Sequence, residues 1–165
     1  MSVPRHRSAL SPVVAALALA LTLLVPAPGQ AQALFPEDNG RALTGVRGVD
    51  AKVAIFTWLN MPEDRANFLS RADSVFQAGI MRGGVLVDAS APNYLFCELW
   101  LAEASGLIAY AWNVSYYIHE LAGVHRLEWR TGGMVTVGRN NFNASAVATA
   151  CVDAFTKEWR IRNPG

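Results

Sequence analysis

The chain has little charge of either sign. Its 165 residues carry 14 Lys and Arg against 13 Asp and Glu, a formal net of +1. That near-balance leaves no basic stripe for nucleic acid and no polybasic segment for an anionic membrane, so neither is expected as a partner. Cysteine is scarce. Cys97 and Cys151 are the only two, and with none before Cys97 a lipid-modified cysteine near the amino terminus is excluded. No glycine-rich phosphate cradle is present, since Gly83-Gly84 and Gly132-Gly133 read as turns. No serine has the flanking glycines of a nucleophile elbow. Past Val25 no apolar run approaches the ~20 residues of a membrane-spanning helix. No cofactor is implied. What the chain has instead is 52% hydrophobic residues and 10% aromatics, which argues against disorder.

Residues 1–33 read as an export signal. Arg5, His6 and Arg7 form a basic start, an apolar run extends from Ala9 to Val25, and Pro26, Pro28 and Gly29 break it. Ala31-Gln32-Ala33 then supplies small residues for a signal peptidase, with cleavage expected after Ala33. The remaining 165 − 33 = 132 residues suit one domain. The expected location is the periplasm or the medium, with no stable membrane insertion once the signal is removed.

Residues 34–47 read as a loose leader and 48–165 as the domain. Alternation over 49–59 predicts a first strand with both faces covered. Asn60 as cap, Pro62 in the first turn and the stripe Phe68, Leu69, Ala72, Val75 and Phe76 predict a helix that Gly79 stops. A short strand, Val85-Leu86-Val87, follows. Residues 93–103 and 107–120 form a hairpin; with Ala104-Ser105 at its tip, Leu95 faces Val114 and Cys97 faces Trp112. The chain continues as a strand to Arg130, turns at Thr131-Gly132-Gly133 and returns to Val137. A second helix begins near Asn143, with Cys151, Phe155 and Trp159 on its apolar stripe. The fold class is α+β: a mainly antiparallel twisted sheet of four to five strands with two helices on one face.

In this arrangement Cys97 lies on the inward sheet face and Cys151 on the buried stripe of the second helix. An exported chain makes the pair a candidate disulfide. Two separate buried thiols remain the other reading, and neither residue has the neighbouring base that activates a catalytic thiolate.

Chemistry-bearing residues are few. His119, Glu120, His125 and Glu128 are the densest set of metal ligands or acid-base groups, but the histidine spacing of i, i+6 on a strand is not the i, i+4 of a zinc-protease helix, and no third ligand follows. Arg126, Arg130 and Arg139 lie around the last hairpin; a small basic patch is one reading of them, and solvated hairpin residues the favoured one. The outward sheet face draws more attention. Tyr94, Phe96, Trp100 and Tyr117 share it with the small residues Ala109, Ala111 and Ser115, and flat aromatic surface of this kind suits a partner or a second copy. The competing reading has the leader, with Leu34 and Phe35, folding back over it.

Several short segments resemble a known group. Leu43-Thr44-Gly45-Val46, Gln77-Ala78-Gly79-Ile80, Tyr94-Leu95, Gly106-Leu107-Ile108-Ala109-Tyr110-Ala111-Trp112, Val137-Gly138, Val152-Asp153-Ala154-Phe155 and Asn163-Pro164 are similar to motifs of small uncharacterised bacterial exported proteins. At the level of fold the layout also resembles the amino-terminal domains of TolB-like periplasmic proteins. The resemblance implies a β-α-β-sheet-α domain, no established activity and no catalytic residues to carry over.

The function expected from these readings is a non-enzymatic envelope or secreted domain that binds an envelope protein, or itself, through the aromatic face. One alternative is a small metal-dependent or hydrolytic enzyme built on His119, Glu120, His125 and Glu128. Another is a carrier of a small apolar ligand held between sheet and helices. On the export reading, native mass spectrometry of protein recovered from the periplasm should give the mass of residues 34–165, two hydrogens light if the cysteines are bonded; an intact amino terminus would overturn the cleavage assignment.

Overall fold

A computed structural model describes residues 39–120 and 123–165. The export signal and the leader's Leu34 and Phe35 lie outside the described residues. The elements, in chain order, are β1 (Gly48–Leu59), α1 (Arg65–Gly83), β2 (Leu86–Val87), β3 (Asn93–Ala104), β4 (Leu107–His119), β5 (His125–Gly138) and α2 (Ala144–Arg162). Short 3-10 turns occupy Asn39–Leu43 and Arg139–Asn141. The five strands form one sheet in the order β2-β1-β3-β4-β5. The β3–β4 and β4–β5 ladders are long and antiparallel, whereas β1 runs parallel to both β2 and β3. The fold is α+β with a mostly antiparallel sheet, and its two helices join the sheet in one hydrophobic core.

Both helices pack on the side of Val49, Ala51, Val53, Ile55, Leu95, Cys97 and Leu99. Phe68, Ala72, Phe76 and Ile80 supply the stripe of α1, and Val147, Ala148, Cys151 and Phe155 that of α2, all without solvent exposure. Cys97 and Cys151, 54 positions apart in the chain, are joined, with their Cα atoms 5.9 Å apart. A link of that span is worth about 4 kcal/mol in the chain-entropy account. The packed body also extends upstream of Gly48. Leu43 is fully buried, and Asn163 donates to its carbonyl (2.9 Å) while accepting from the Gly45 N–H (2.7 Å). Trp159 donates to the Val46 carbonyl at 3.0 Å. From Asn39 on, the segment read as a loose leader is therefore tied to the end of α2 rather than laid over the opposite sheet face.

Helix α1 differs from expectation at both ends. Asp64, not Asn60, caps it and accepts from the Asn67 N–H at 2.9 Å. Asn60 instead takes φ 54° where the chain leaves β1. At the other end the helix runs through Gly79 to Gly83, and Gly84 (φ 105°) makes the left-handed cap. Gly79 is there for close approach: a Cβ on it would lie 2.5 Å from Val152 Cγ2 of α2. The same helix seals an edge. Past Val49 the outer side of β1 has no strand neighbour among the described residues, and α1 supplies side chains in its place. Asp73 accepts from the Val53 N–H (2.8 Å) and Gln77 donates to the Ala51 carbonyl (3.1 Å). Arg65 donates to the Ile55 carbonyl.

The hairpin keeps its faces but shifts its pairing. Its tip is Ser105-Gly106, with φ of 53° and 77°, the paired left-handed turn that matches strand twist. Cys97 therefore pairs with Val114 and Leu99 with Trp112, two residues from the expected partners. A second difference lies in β5, which is continuous: Thr131-Gly132-Gly133 is strand, not turn. Gly133 sits opposite Trp112, where a Cβ would be 3.2 Å from the indole, and at Gly132 a Cβ would be 2.5 Å from the Trp112 carbonyl oxygen.

The helix crossing yields a sign-dependent test. Alanine in place of glycine within a helix normally stabilises by about 1 kcal/mol, but at Gly79 the overlap with Val152 should cost about 1–3 kcal/mol. Gly79→Ala should therefore be net destabilising in denaturant unfolding of the oxidised protein, and become stabilising in a Val152→Ala background. Stabilisation in both backgrounds would mean that the helices do not cross there.

Candidate functional site

The face away from the helices is built by alternation. On β3 the residues pointing there are Tyr94, Phe96, Glu98 and Trp100, beside Ser115 and Tyr117 of β4. On β1 the same alternation places Lys52, Ala54 and Phe56 on this face, Phe56 being 60% exposed beside the bulge between Ile55 and Thr57. The aromatics form two groups. Tyr94 stacks on Phe96 (6.2 Å), which meets Tyr117 edge-on (5.9 Å), and His125 stands edge-on to Tyr94 (4.9 Å). Trp100 lies apart from them, stacked on Phe56 at 5.1 Å. A pocket of about 330 Å³ opens between the groups, walled by Phe56, Tyr94, Phe96 and Tyr117, with Glu98 and His125 completing it.

The surprise is polar. Glu98 is only 7% exposed and Ser115 not at all, although no described helix covers them. Glu98 Oε2 accepts from Ser115 Oγ (3.0 Å) and from Arg130 Nη2 (2.8 Å), and Arg130 Nε also donates to Ser115 Oγ (2.8 Å). Glu98 Oε1 accepts a longer bond from the Tyr117 hydroxyl, 3.4 Å. A charged triad thus lies beneath the aromatic layer. At the β1 side Asp50, 4% exposed, accepts from Lys52 Nζ at 2.6 Å. That bond, reinforced by the carboxylate charge, holds the Lys52 ammonium above the usual lysine range despite some opposing desolvation.

The residues singled out by sequence fall into three sets. Tyr94, Phe96 and Tyr117 come together, and Trp100 joins the same face through Phe56. Cys97 and Cys151 meet on the other side of the sheet, in the core. Of the histidine set, His119 and His125 are directly paired across β4 and β5, with Nδ1 atoms 3.3 Å apart. Glu120 and Glu128 both engage Arg126, Glu128 through an ion pair that lacks hydrogen-bond geometry. Among the described residues no three His, Cys, Asp or Glu side chains are gathered as metal ligands. The three arginines are not a loose basic patch: Arg126, Arg130 and Arg139 pair with Glu120, Glu98 and Glu103. Sequence reasoning missed Phe56, and it missed Arg130 as the counter-ion of Glu98. The signal for the latter was a lone carboxylate alternating with Phe96 and Trp100.

Residues and geometry together define a class: an α+β domain whose sheet carries both described helices on one face, with no described element over the other. No family model matches the chain, and no curated protein matches it. Among solved structures it is similar to a point variant of the PelC dodecamer from Paraburkholderia phytofirmans, at 13% identity and TM-score 0.45, covering 69% of this chain and 90% of that one. A second structure of the PelC dodecamer from that organism gives 13% identity and TM-score 0.41, over 67% and 87% of the two chains. A protein described as uncharacterised gives 7% identity and TM-score 0.36, over 73% and 92%.

The triad should respond asymmetrically to mutation. Arg130→Met strands a buried carboxylate and should cost about 2–3 kcal/mol in urea unfolding, less than a fully buried pair because the Arg130 side chain is 29% exposed. Adding Glu98→Gln should recover part of that loss. Additive losses in the double variant would mean that the two charges do not interact.

Proposed function

We propose that this chain is an exported, non-enzymatic binding domain whose helix-free sheet face takes a protein partner of the cell envelope or a second copy of itself. The observation that carries the reading is the aromatic pocket on a face that no described element covers. Tyr, Trp and Arg are the residue types that anchor interfaces. Here Tyr94 and Tyr117 line a hollow of about 330 Å³ with the exposed Phe56, on which Trp100 is stacked. The Cys97–Cys151 link fits an oxidising compartment, and no described helix is long and apolar enough to cross a membrane. Cleavage after Ala33 and residence in the periplasm or medium belong to the same proposal, as does the resemblance to small exported and TolB-like domains.

The enzyme reading has less support. It needs carboxylates beside the histidines, and Glu120 and Glu128 are engaged by Arg126. A carrier with its ligand between sheet and helices would need room that Phe68, Phe76 and Phe155, all fully buried, occupy.

Sedimentation of the wild type, Phe56→Ala and Trp100→Ala, together with recovery of cross-linked envelope partners, tests the proposal. Both variants should fold, because Phe56 is largely exposed and Trp100 partly so. They should lower self-association or partner recovery at least tenfold, the size of effect a truncated anchor gives. If assembly and partners are unchanged in both, the face is not the binding surface.

A further inference from the structure

We infer that His119 and His125 form an open two-imidazole site for Zn2+ at the end of the β4–β5 hairpin. This goes beyond the binding-face reading and does not depend on it. The two residues are direct cross-strand partners, a placement that brings their Cβ atoms within about 4.5–5.5 Å. The Glu120 N–H donates to the Val124 carbonyl at 2.7 Å and closes the hairpin end beside them. Their ring centroids are 4.9 Å apart and their Nδ1 atoms only 3.3 Å, so the nitrogens lie on the facing edges of the rings.

That separation matches the bite of a tetrahedral zinc. Two ligands at Zn–N bonds of about 2.0–2.1 Å, subtending the tetrahedral angle, have nitrogens about 3.3–3.4 Å apart. A square-planar ion would require roughly 2.8–3.0 Å for adjacent ligands at the same bond length. Neutral imidazole suits zinc, whereas magnesium and calcium prefer oxygen donors. With Glu120 and Glu128 held by Arg126, the donors the pair offers are imidazole nitrogens. Without metal, one ring donates its Nδ1 proton to the other. Binding moves that proton to Nε2 or to water, so that both Nδ1 lone pairs meet the ion. Water completes the coordination. Because His125 also lines the aromatic pocket and sits edge-on to Tyr94, the ion would stand at the pocket's mouth.

The full chain, expressed without a histidine tag and stripped of metal, is titrated with zinc alone and followed by native mass spectrometry and thermal unfolding. One Zn2+ per chain is expected, with the midpoint raised by roughly 5–10 °C at zinc about 100-fold above Kd. Both signals should vanish in His119→Ala and in His125→Ala while far-ultraviolet circular dichroism stays unchanged, since both side chains are exposed. Phe56→Ala should keep the zinc, which separates this site from the binding face. Failure of the wild type to retain zinc would overturn the inference. So would equal zinc binding by the His119→Ala/His125→Ala double variant, or an equal shift with magnesium.

Discussion

A carboxylate buried on the sheet face opposite the helices has to find its counter-charge and hydrogen bonds among strand residues, and much of what is distinctive here follows from that constraint. On the covered side the solution is ordinary: Phe68, Phe76 and Phe155 fill the interior, and the Cys97–Cys151 link pins α2 to β3. On the open side the central position of β3 is a carboxylate. Burying Glu98 would cost several kcal/mol if it stood alone. Arg130 and Ser115 satisfy it, with a longer bond from the Tyr117 hydroxyl, and burial of the carboxylate makes the pairing stronger than one in open solvent. A solvated surface pair of the same geometry would contribute little.

The outer edge of β1 is closed by side chains of α1, with Gln77, Asp73 and Arg65 bonding to three backbone groups in succession. This explains why a helix whose apolar stripe faces the core also carries polar residues at those positions: they bond to the strand instead of projecting into water. It also ties the geometry of β1, and with it Phe56 and Asp50, to the packing of α1.

Element types and faces were legible from the residues because alternation and helical spacing report burial directly. Register was less so. Moving the hairpin tip from Ala104-Ser105 to Ser105-Gly106 changes every partner by two residues yet leaves each side chain on the same face, since the strand repeat is also two. The apolar pattern therefore cannot distinguish the two pairings. Backbone conformation does, with φ positive at both tip residues. Glycine misled for a related reason. Gly84 and Gly106 are needed for positive φ, which a local reading can anticipate; Gly79 and Gly133 are needed because Val152 and Trp112 come close, which is a tertiary fact. Reading Gly132-Gly133 as a turn split β5, and that split hid Arg130 as the partner of Glu98. Phe56 was missed for a different reason: the first strand was expected to be covered on both faces, whereas its Lys52 and Phe56 side chains are exposed.

What favours recognition on this face over mere exposure is that its anchors are held before any contact is made. An aromatic side chain that must be ordered on binding loses rotamer freedom, about 0.5–1.5 kcal/mol for each one immobilised. Tyr94, Phe96 and Tyr117 already brace one another, and Trp100 is stacked on Phe56. The floor beneath them is fixed by the Glu98–Ser115–Arg130 bonds rather than by mobile solvent. A partner meeting this surface would find a formed hollow with apolar walls and a polar base. Most of the ordering cost is already met by the fold, so the contact area can count toward affinity.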